Sequence, residues 1–384
     1  MKRMRMVTAG LAAACGVSGM MTVVLAATYV AGAVQAPQEY NIRYKHPKPG
    51  EPVVMQITND VVGTMSFGLG TQSMTQKTRQ WIKTECMGID PDGIAKVRMT
   101  FERFAMDMNV GPVHMTFDSA DEPAPDPTSQ PSGKSPTPLT MAQTMVKAMT
   151  KAMVGHTLTA TIGPDGKCLK MEGMKEMFDR MFKDMPGGEQ FAKPFKEVFS
   201  EDSFKDQFFG SLSWLPTKPV RIGDVWNTEQ RIKMGPMGET VLKGKNKLLS
   251  VETIDGRRTA RVGVTMNMEM GNGADGFKVA GRTVKTKMTS TGGTGTWLWD
   301  LDRSRMIKLQ QTYPMEMTTE TGTSSQPGES FTMTQKVNYA TTVELVGDEL
   351  AARLLPDATP KVPAVQQPKA VPVVGTATQP APTD

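Results

Sequence analysis

The chain is short of the side chains that usually do chemistry. Histidine occurs three times in 384 residues, as His46, His114 and His156. None stands at metal-ligand spacing from another, which argues against a zinc site or a histidine-based hydrolase. There is no Gly-x-Ser-x-Gly, no phosphate-cradling glycine loop and no dinucleotide fingerprint. No nucleophile and no paired acid and base stand out, so the expectation is a protein that is not an enzyme and has no cofactor. Asp300, Asp302 and Ser304 imitate the start of a calcium loop, but Arg305 stands where glycine is needed and Gln311 where glutamate is needed, so they read as a turn. Charge of one sign is missing as well: 44 basic residues face 39 acidic ones, and three of the basic ones lie in the first five positions. Without a basic stripe interleaved with aromatics, nucleic acid is set aside as a partner.

Cysteine is scarce, with three in the chain. Cys15 falls in an N-terminal leader, where Lys2, Arg3 and Arg5 precede an uncharged run from Met6 to Val34 and Ala31-Gly32-Ala33 offers a small-x-small cleavage pattern. Residues 1–33 therefore read as a signal peptide, or, uncleaved, as a signal anchor long enough to span a bilayer. Either way the remainder faces outward, in a periplasmic or extracellular compartment, and a membrane is a partner only through this segment. Outside the leader, Cys86 and Cys168 either pair as a disulfide or remain two separate thiols.

From residue 34 to 355 the pattern is that of one α+β domain, mostly β. Glu51 to Asn59, Thr64 to Thr84 and Ile94 to Met108 are rich in alternating and β-branched residues, with breaks expected at Gly63 and at Pro91-Asp92-Gly93, giving a first half-sheet over 51–118. Residues 119–139 are a Pro-rich loop. Residues 140–209 read as helices around one hairpin. Thr140 and Gln143 form a capping box ahead of Met141, Met145, Met149 and Met153, the hairpin turns at Gly163-Pro164-Asp165-Gly166, and a second helix carries Met174, Met177, Phe178, Met181, Phe182 and Met185 at spacings of three and four. Leu215-Pro216 to Trp226 then leads into a second half-sheet over 216–347, and Pro/Ala-rich residues 356–384 carry no core pattern. Ala95-Lys-Val-Arg-Met-Thr-Phe after Asp92-Gly93 parallels Ala260-Arg-Val-Gly-Val-Thr-Met after Asp255-Gly256. The 155–171 hairpin parallels Gly295 to Leu309, so the halves read as an internal duplication.

What the chain has in excess is methionine, 32 residues against 18 leucines. Met106 and Met108, then Met266, Met268 and Met270, then Met315 and Met317 alternate with polar residues, so in strands each set points to one face. Core packing explains most of them. The sharper expectation is an adaptable apolar groove lined by Met266, Met268, Met270, Phe178 and Phe182, with a thioether copper site as a remote alternative.

Gly50-Glu51, Asp92-Gly93, Phe117-Asp118-Ser119 and Leu215-Pro216 to Gly223-Asp224-Val225-Trp226, in that order, resemble a bacterial exported family catalogued as a domain of unknown function, over about residues 45 to 345. The layout is more loosely similar to periplasmic lipid carriers of the LolA and LppX type. The expected architecture is a curled antiparallel sheet, an open or half barrel built from two related halves, with the central helices on its concave face. The expected function is non-catalytic binding of an apolar or lipid-like molecule, the alternative being a structural or interaction component of the envelope with an envelope protein as its partner. Trp226 is expected to be a core anchor.

Overall fold

The computed structural model describes residues 38–67, 70–120, 150–183, 201, 204–205, 210–233, 238–254, 256–271, 276–279, 282–323 and 331–347. All of these but Gln38 belong to one compact unit, Glu39–Asp384. The leader, the 121–139 loop, Thr140 to Met149, Met185 and the 356–384 tail lie outside the described residues.

The first half supplies β1 (Val53–Phe67), β2 (Gly70–Ile89), β3 (Ala95–Val110), β4 (Val113–Asp118), β5 (Thr157–Ile162), β6 (Cys168–Glu172) and the helix α1 (Met174–Lys183). A 3-10 turn at Gly210–Trp214 leads to β7 (Val225–Lys233), β8 (Glu239–Ile254), β9 (Arg257–Gly271), β10 (Phe277–Val279), β11 (Arg282–Asp300), β12 (Arg305–Thr323) and β13 (Phe331–Leu345). They form one antiparallel sheet in the order β6-β5-β3-β2-β1-β13-β12-β11-β9-β8-β7, with β4 on β3 and β10 on β11 off the main path. The path ends at β6 and β7, so the sheet curls without closing into a barrel.

The duplication holds at the level of single residues. The runs β1-β2-β3-β5-β6 and β7-β8-β9-β11-β12 have the same spatial order, and β13 is inserted between β12 and β1. Cys86 pairs with Val97 and Val97 with Ala160; in the second half Leu248 pairs with Val262 and Val262 with Trp297. Each half carries a bulge at the same two places, the extra residues being Met87 and Leu169 in the first and Leu249 and Ile307 in the second. Gly50 donates its N–H to the Cys86 carbonyl (3.1 Å) and Gly223 donates to that of Leu248 (2.7 Å), so both halves begin with one left-handed glycine in one role. The segment from Leu215 to Trp226 is thus a repeat boundary, and Trp226 anchors it by donating Nε1–H to the Trp214 carbonyl at 2.8 Å.

The halves part company after their last paired strand. Where β12 is followed by β13, β6 is followed by α1, because Met174, Met177, Phe178 and Met181 recur at helical and not strand spacing. These four side chains are buried on the concave face with Val97, Met99, Leu158 and Ala160. The predicted break at Gly63 is corrected: β1 runs through it, paired with Val337. Gly63 is required there by the close approach of β13, whose backbone occupies the space of a side chain. Asp300 to Ser304 is a turn as expected, with Asp300 accepting the N–H groups of Asp302 and Arg303 and Asp302 accepting that of Arg258.

The disulfide does not form: Cys86 is a free buried thiol and Cys168 a free half-buried one. Both belong to the cluster around α1, but β5 and β3 lie between their strands. Three strand spacings put them roughly 14 Å apart along the sheet, against the under ~7 Å that a disulfide spans between Cα atoms. A reducing agent is therefore expected to leave the thermal midpoint unchanged, and Cys168→Ser to change stability by less than about 1 kcal/mol, as read by calorimetry with and without reductant.

Candidate functional site

The concave face is filled differently along its height. Around α1 it is a packed core, and at the far end from the Asp92-Gly93 turn Val61, Met74, Met315 and Val337 close on one another with Met65, Met268 and Met288. Between the halves, at the end bearing the Asp92-Gly93 and Gly163 to Gly166 turns, lies a cavity of about 200 Å³. The first half contributes Val53, Met55, Thr84, Val97 and Ile162, and the second half Trp297, Trp299, Met306, Leu309 and Leu345. Leu212 and Trp214 from the 3-10 turn, Leu215 just after it, Tyr44 and Pro47 from the segment ahead of β1, and Arg305 at the start of β12 add to the wall.

Local sequence explains this assembly. Trp297 and Trp299 are two apart on β11 and so share one face of the strand. Both are buried, with ring centroids 5.9 Å apart in an edge arrangement, and Trp226 adds a third indole 6.4 Å from Trp297. The segment ahead of β1 is held by the reciprocal backbone pair of Tyr40 and Val220 and by the fully buried Ile42.

The wall is apolar with a few donors. The indole N–H groups of Trp297 and Trp299 and the hydroxyl of Thr84 are buried with no hydrogen-bond partner among the described residues. Buried polar groups are nearly always paired, so three in one wall are unusual. Arg305 is the one cation in the lining, which holds no carboxylate.

Tyr44 stands at the edge of the cavity, its hydroxyl pushed up to about 12 by burial and then by the neighbouring Cys86 thiol. His46 donates Nε2–H to the Gly93 carbonyl at 2.9 Å, which leaves Nδ1 to accept the Tyr44 hydroxyl at 3.3 Å. A folded-state pKa above the ordinary phenol value means that the neutral phenol's contribution is whole below pH 10 and lost as pH rises through about 12. Tyr313 and Tyr339, stacked at 5.2 Å, are raised by burial as well and act in the same direction. Alkaline titration followed by circular dichroism is expected to show stability falling between pH 10 and 12. Tyr44→Phe should remove on the order of 2 kcal/mol of that dependence.

The five side chains expected to share a groove do not meet. Phe178 and Phe182 belong to α1 and the first-half core, Met266 to the tryptophan cluster, and Met268 to the far-end cluster. Met270 pairs with Met288, farther still from the cavity. The three methionines do face the concave side, but at roughly 3.3 Å per residue they run away from α1, which covers only the first half. Their thioethers are packing groups in apolar clusters. Sequence reading missed Trp214, Trp297, Trp299 and Tyr44; the Trp-x-Trp alternation at 297 and 299 was the available signal. Each histidine is engaged locally, His114 with Asp107 and His156 with the Gly173 carbonyl. Among the described residues no group of three or more His, Cys, Asp or Glu could hold a metal ion. No described helix is long and apolar enough to cross a membrane.

No curated protein matches the chain. A solved structure titled "Lipid-protein interactions in lipovitellin" aligns over 78% of this chain and 25% of that one, at 10% identity and a TM-score of 0.35. The chain thus spans a quarter of the length of that protein. The Pseudomonas aeruginosa structures OccK2 (OpdF) and OccK5 (OpdH) align over 78% and 77% of this chain and 99% and 98% of theirs, at 7% and 8% identity and TM-scores of 0.17 and 0.18. Overlaps this loose say nothing about function. The resemblance read from Asp92-Gly93 and Gly223-Asp224-Val225-Trp226 is met over a narrower span than 45–345: a family model described as "Family of unknown function (DUF6263)" matches residues 92–304, more than half of the chain, and the chain belongs to that family.

Proposed function

We propose that the chain is a non-catalytic, exported envelope protein that holds an apolar or lipid-like molecule between its two halves. The observation that carries this is the cavity itself, an aromatic-lined space at the junction of the repeats. Its volume of about 200 Å³ is somewhat larger than the ~150 Å³ apolar cavity that takes up benzene. It suits the end of one acyl chain or a small ring, not a whole diacyl lipid.

The test has two arms. Native mass spectrometry of protein taken from its own envelope should show a retained small apolar molecule. Titration of emptied protein with octanoate or octanol should shift the emission of the buried tryptophans. A clean apo mass together with unchanged emission would remove the reading.

A further inference from the structure

On the convex face of the second half an open groove crosses β7, β8, β9 and β11, with about 530 Å³ of space. Lys245, Thr265 and Thr294 stand in register along one wall, and Glu229, Lys243 and Asn267 along the other. The β11 bulge between Ser290 and Gly293 bounds it, Gly292 donating its N–H to Asn267 Oδ1 at 3.0 Å. The alternation that buries Leu248 leaves Lys243, Lys245 and Lys247 exposed in one line, at ~6.8 Å intervals. None of the three makes an ion pair among the described residues. Glu229 is held by Arg231 through Nε at 2.9 Å and Nη2 at 2.7 Å, and the same guanidinium bonds Glu239 at 2.9 Å. Asp224, beside Val225, accepts the Arg221 N–H at 2.8 Å, and Glu269 lies beyond the groove, opposite Thr289 and Val241.

The duplication shows that this charge is particular to the second half. Leu248 and Val262 correspond to Cys86 and Val97, so Lys245, Lys247, Gly263 and Asn267 correspond to Lys83, Glu85, Arg98 and Glu102. The four in the first half pair off, Arg98 with Glu85 at 3.9 Å and Lys83 with Glu102 at 4.0 Å. In the second half a lysine and an amide stand where those carboxylates are, and Lys243 stands where Trp81 is. The same face is neutral in one repeat and cationic in the other. Such a row attracts anions, and its surroundings select the kind. Among the described residues the lining holds no aromatic side chain on which a base could stack. Its one apolar residue, Met266, turns its side chain into the tryptophan cluster on the concave side, which leaves no desolvated centre of the kind a protein interface needs. Hydroxyls and amides beside the ammonium groups suit a polymer that is itself hydroxylated and carries anionic groups along its length.

We propose that this groove binds an acidic polysaccharide, its carboxylates meeting Lys243, Lys245 and Lys247 and its hydroxyls meeting Thr265, Asn267 and Thr294. The inference stands independently of what the cavity between the halves holds. Full-length protein added to fluorescein-labelled polygalacturonate at low ionic strength should raise its anisotropy, and added salt should reverse the rise. K243S/K245S/K247S should bind about tenfold more weakly. Its thermal midpoint should be unchanged, since all three side chains are exposed. K83S/K96S/R98S removes as much charge from the equivalent face of the first half and should bind as the parent does. Labelled polyglutamate and oligothymidylate of matched charge should each bind about tenfold more weakly than polygalacturonate, because neither brings hydroxyls to the groove in the same number. No rise in anisotropy, undiminished binding by K243S/K245S/K247S or equal weakening by both triple variants overturns the proposal. Polyglutamate or oligothymidylate binding as tightly as polygalacturonate overturns it too, and assigns the row to an acidic protein or a nucleic acid.

Discussion

Trp297→Ala is expected to lower the unfolding free energy by about 3 to 5 kcal/mol, the range for truncating a buried aromatic side chain. The position has an internal control. Its counterpart in the first half is Ala160, since Val97 pairs with Ala160 as Val262 pairs with Trp297. An alanine is tolerated there because α1 fills the space, sharing one buried cluster with Ala160 through Met174, Met177 and Met181. The second half follows its last paired strand with β13 and brings no helix there among the described residues, so the indole itself fills the volume. Truncation would join the new void to the existing cavity and remove two edge-on ring contacts, with Trp226 and Trp299. The unpartnered indole N–H limits the loss, because its removal relieves a burial cost. Denaturant unfolding should show a lower midpoint at unchanged slope. Trp297→Phe should lose less than half as much, and Ala160→Trp should be destabilising through overpacking against α1.

That asymmetry also explains which parts of the fold could be read from the sequence. Period two and period 3.6 are local properties, so the strands of both half-sheets, the Gly163 to Gly166 hairpin and the buried face of α1 were legible. The repeat was legible because Ala95 to Phe101 and Ala260 to Met266 fill the same ladder positions. Gly63 misled, because a glycine demanded by a neighbouring backbone looks the same as one demanded by a turn until the partner strand is known. The groove residues failed for a related reason. Period two assigned Met266, Met268 and Met270 to the concave face correctly, but it carries no information on how high along the strand α1 sits. The cavity wall draws on both halves, the 3-10 turn and the segment ahead of β1. No window of sequence contains that set, and only the chain's return of β13 to β1 brings it together.

The same return makes Gly63→Ala the second large effect. A Cβ at Gly63 would run into the carbonyl oxygen of Lys336 and lie 2.6 Å from both Cα and Cγ1 of Val337. Two of these three atoms are backbone, so rotation of a side chain cannot relieve the clash. The backbone of β13 cannot retreat freely either, since it is paired along its length with β12 on the other side. The substitution therefore has to part β1 from β13, the seam where the first strand of the chain meets the last, and about 3 kcal/mol or more of stability should go with it. Gly88 is the contrasting case. It also lies in a strand, but nothing stands within 4 Å of its missing Cβ and its φ is outside the left-handed region. Gly88→Ala is expected to stay within about 0.5 kcal/mol of the parent. Amide exchange distinguishes a general loss of stability from an opened seam: Gly63→Ala should selectively unprotect Val61 to Thr64 and their partners Lys336 to Tyr339, while α1 and the Cys86 to Val97 ladder retain protection until global unfolding. If all regions lose protection together, the two halves unfold as one cooperative body and the seam is no weaker than the rest of the sheet.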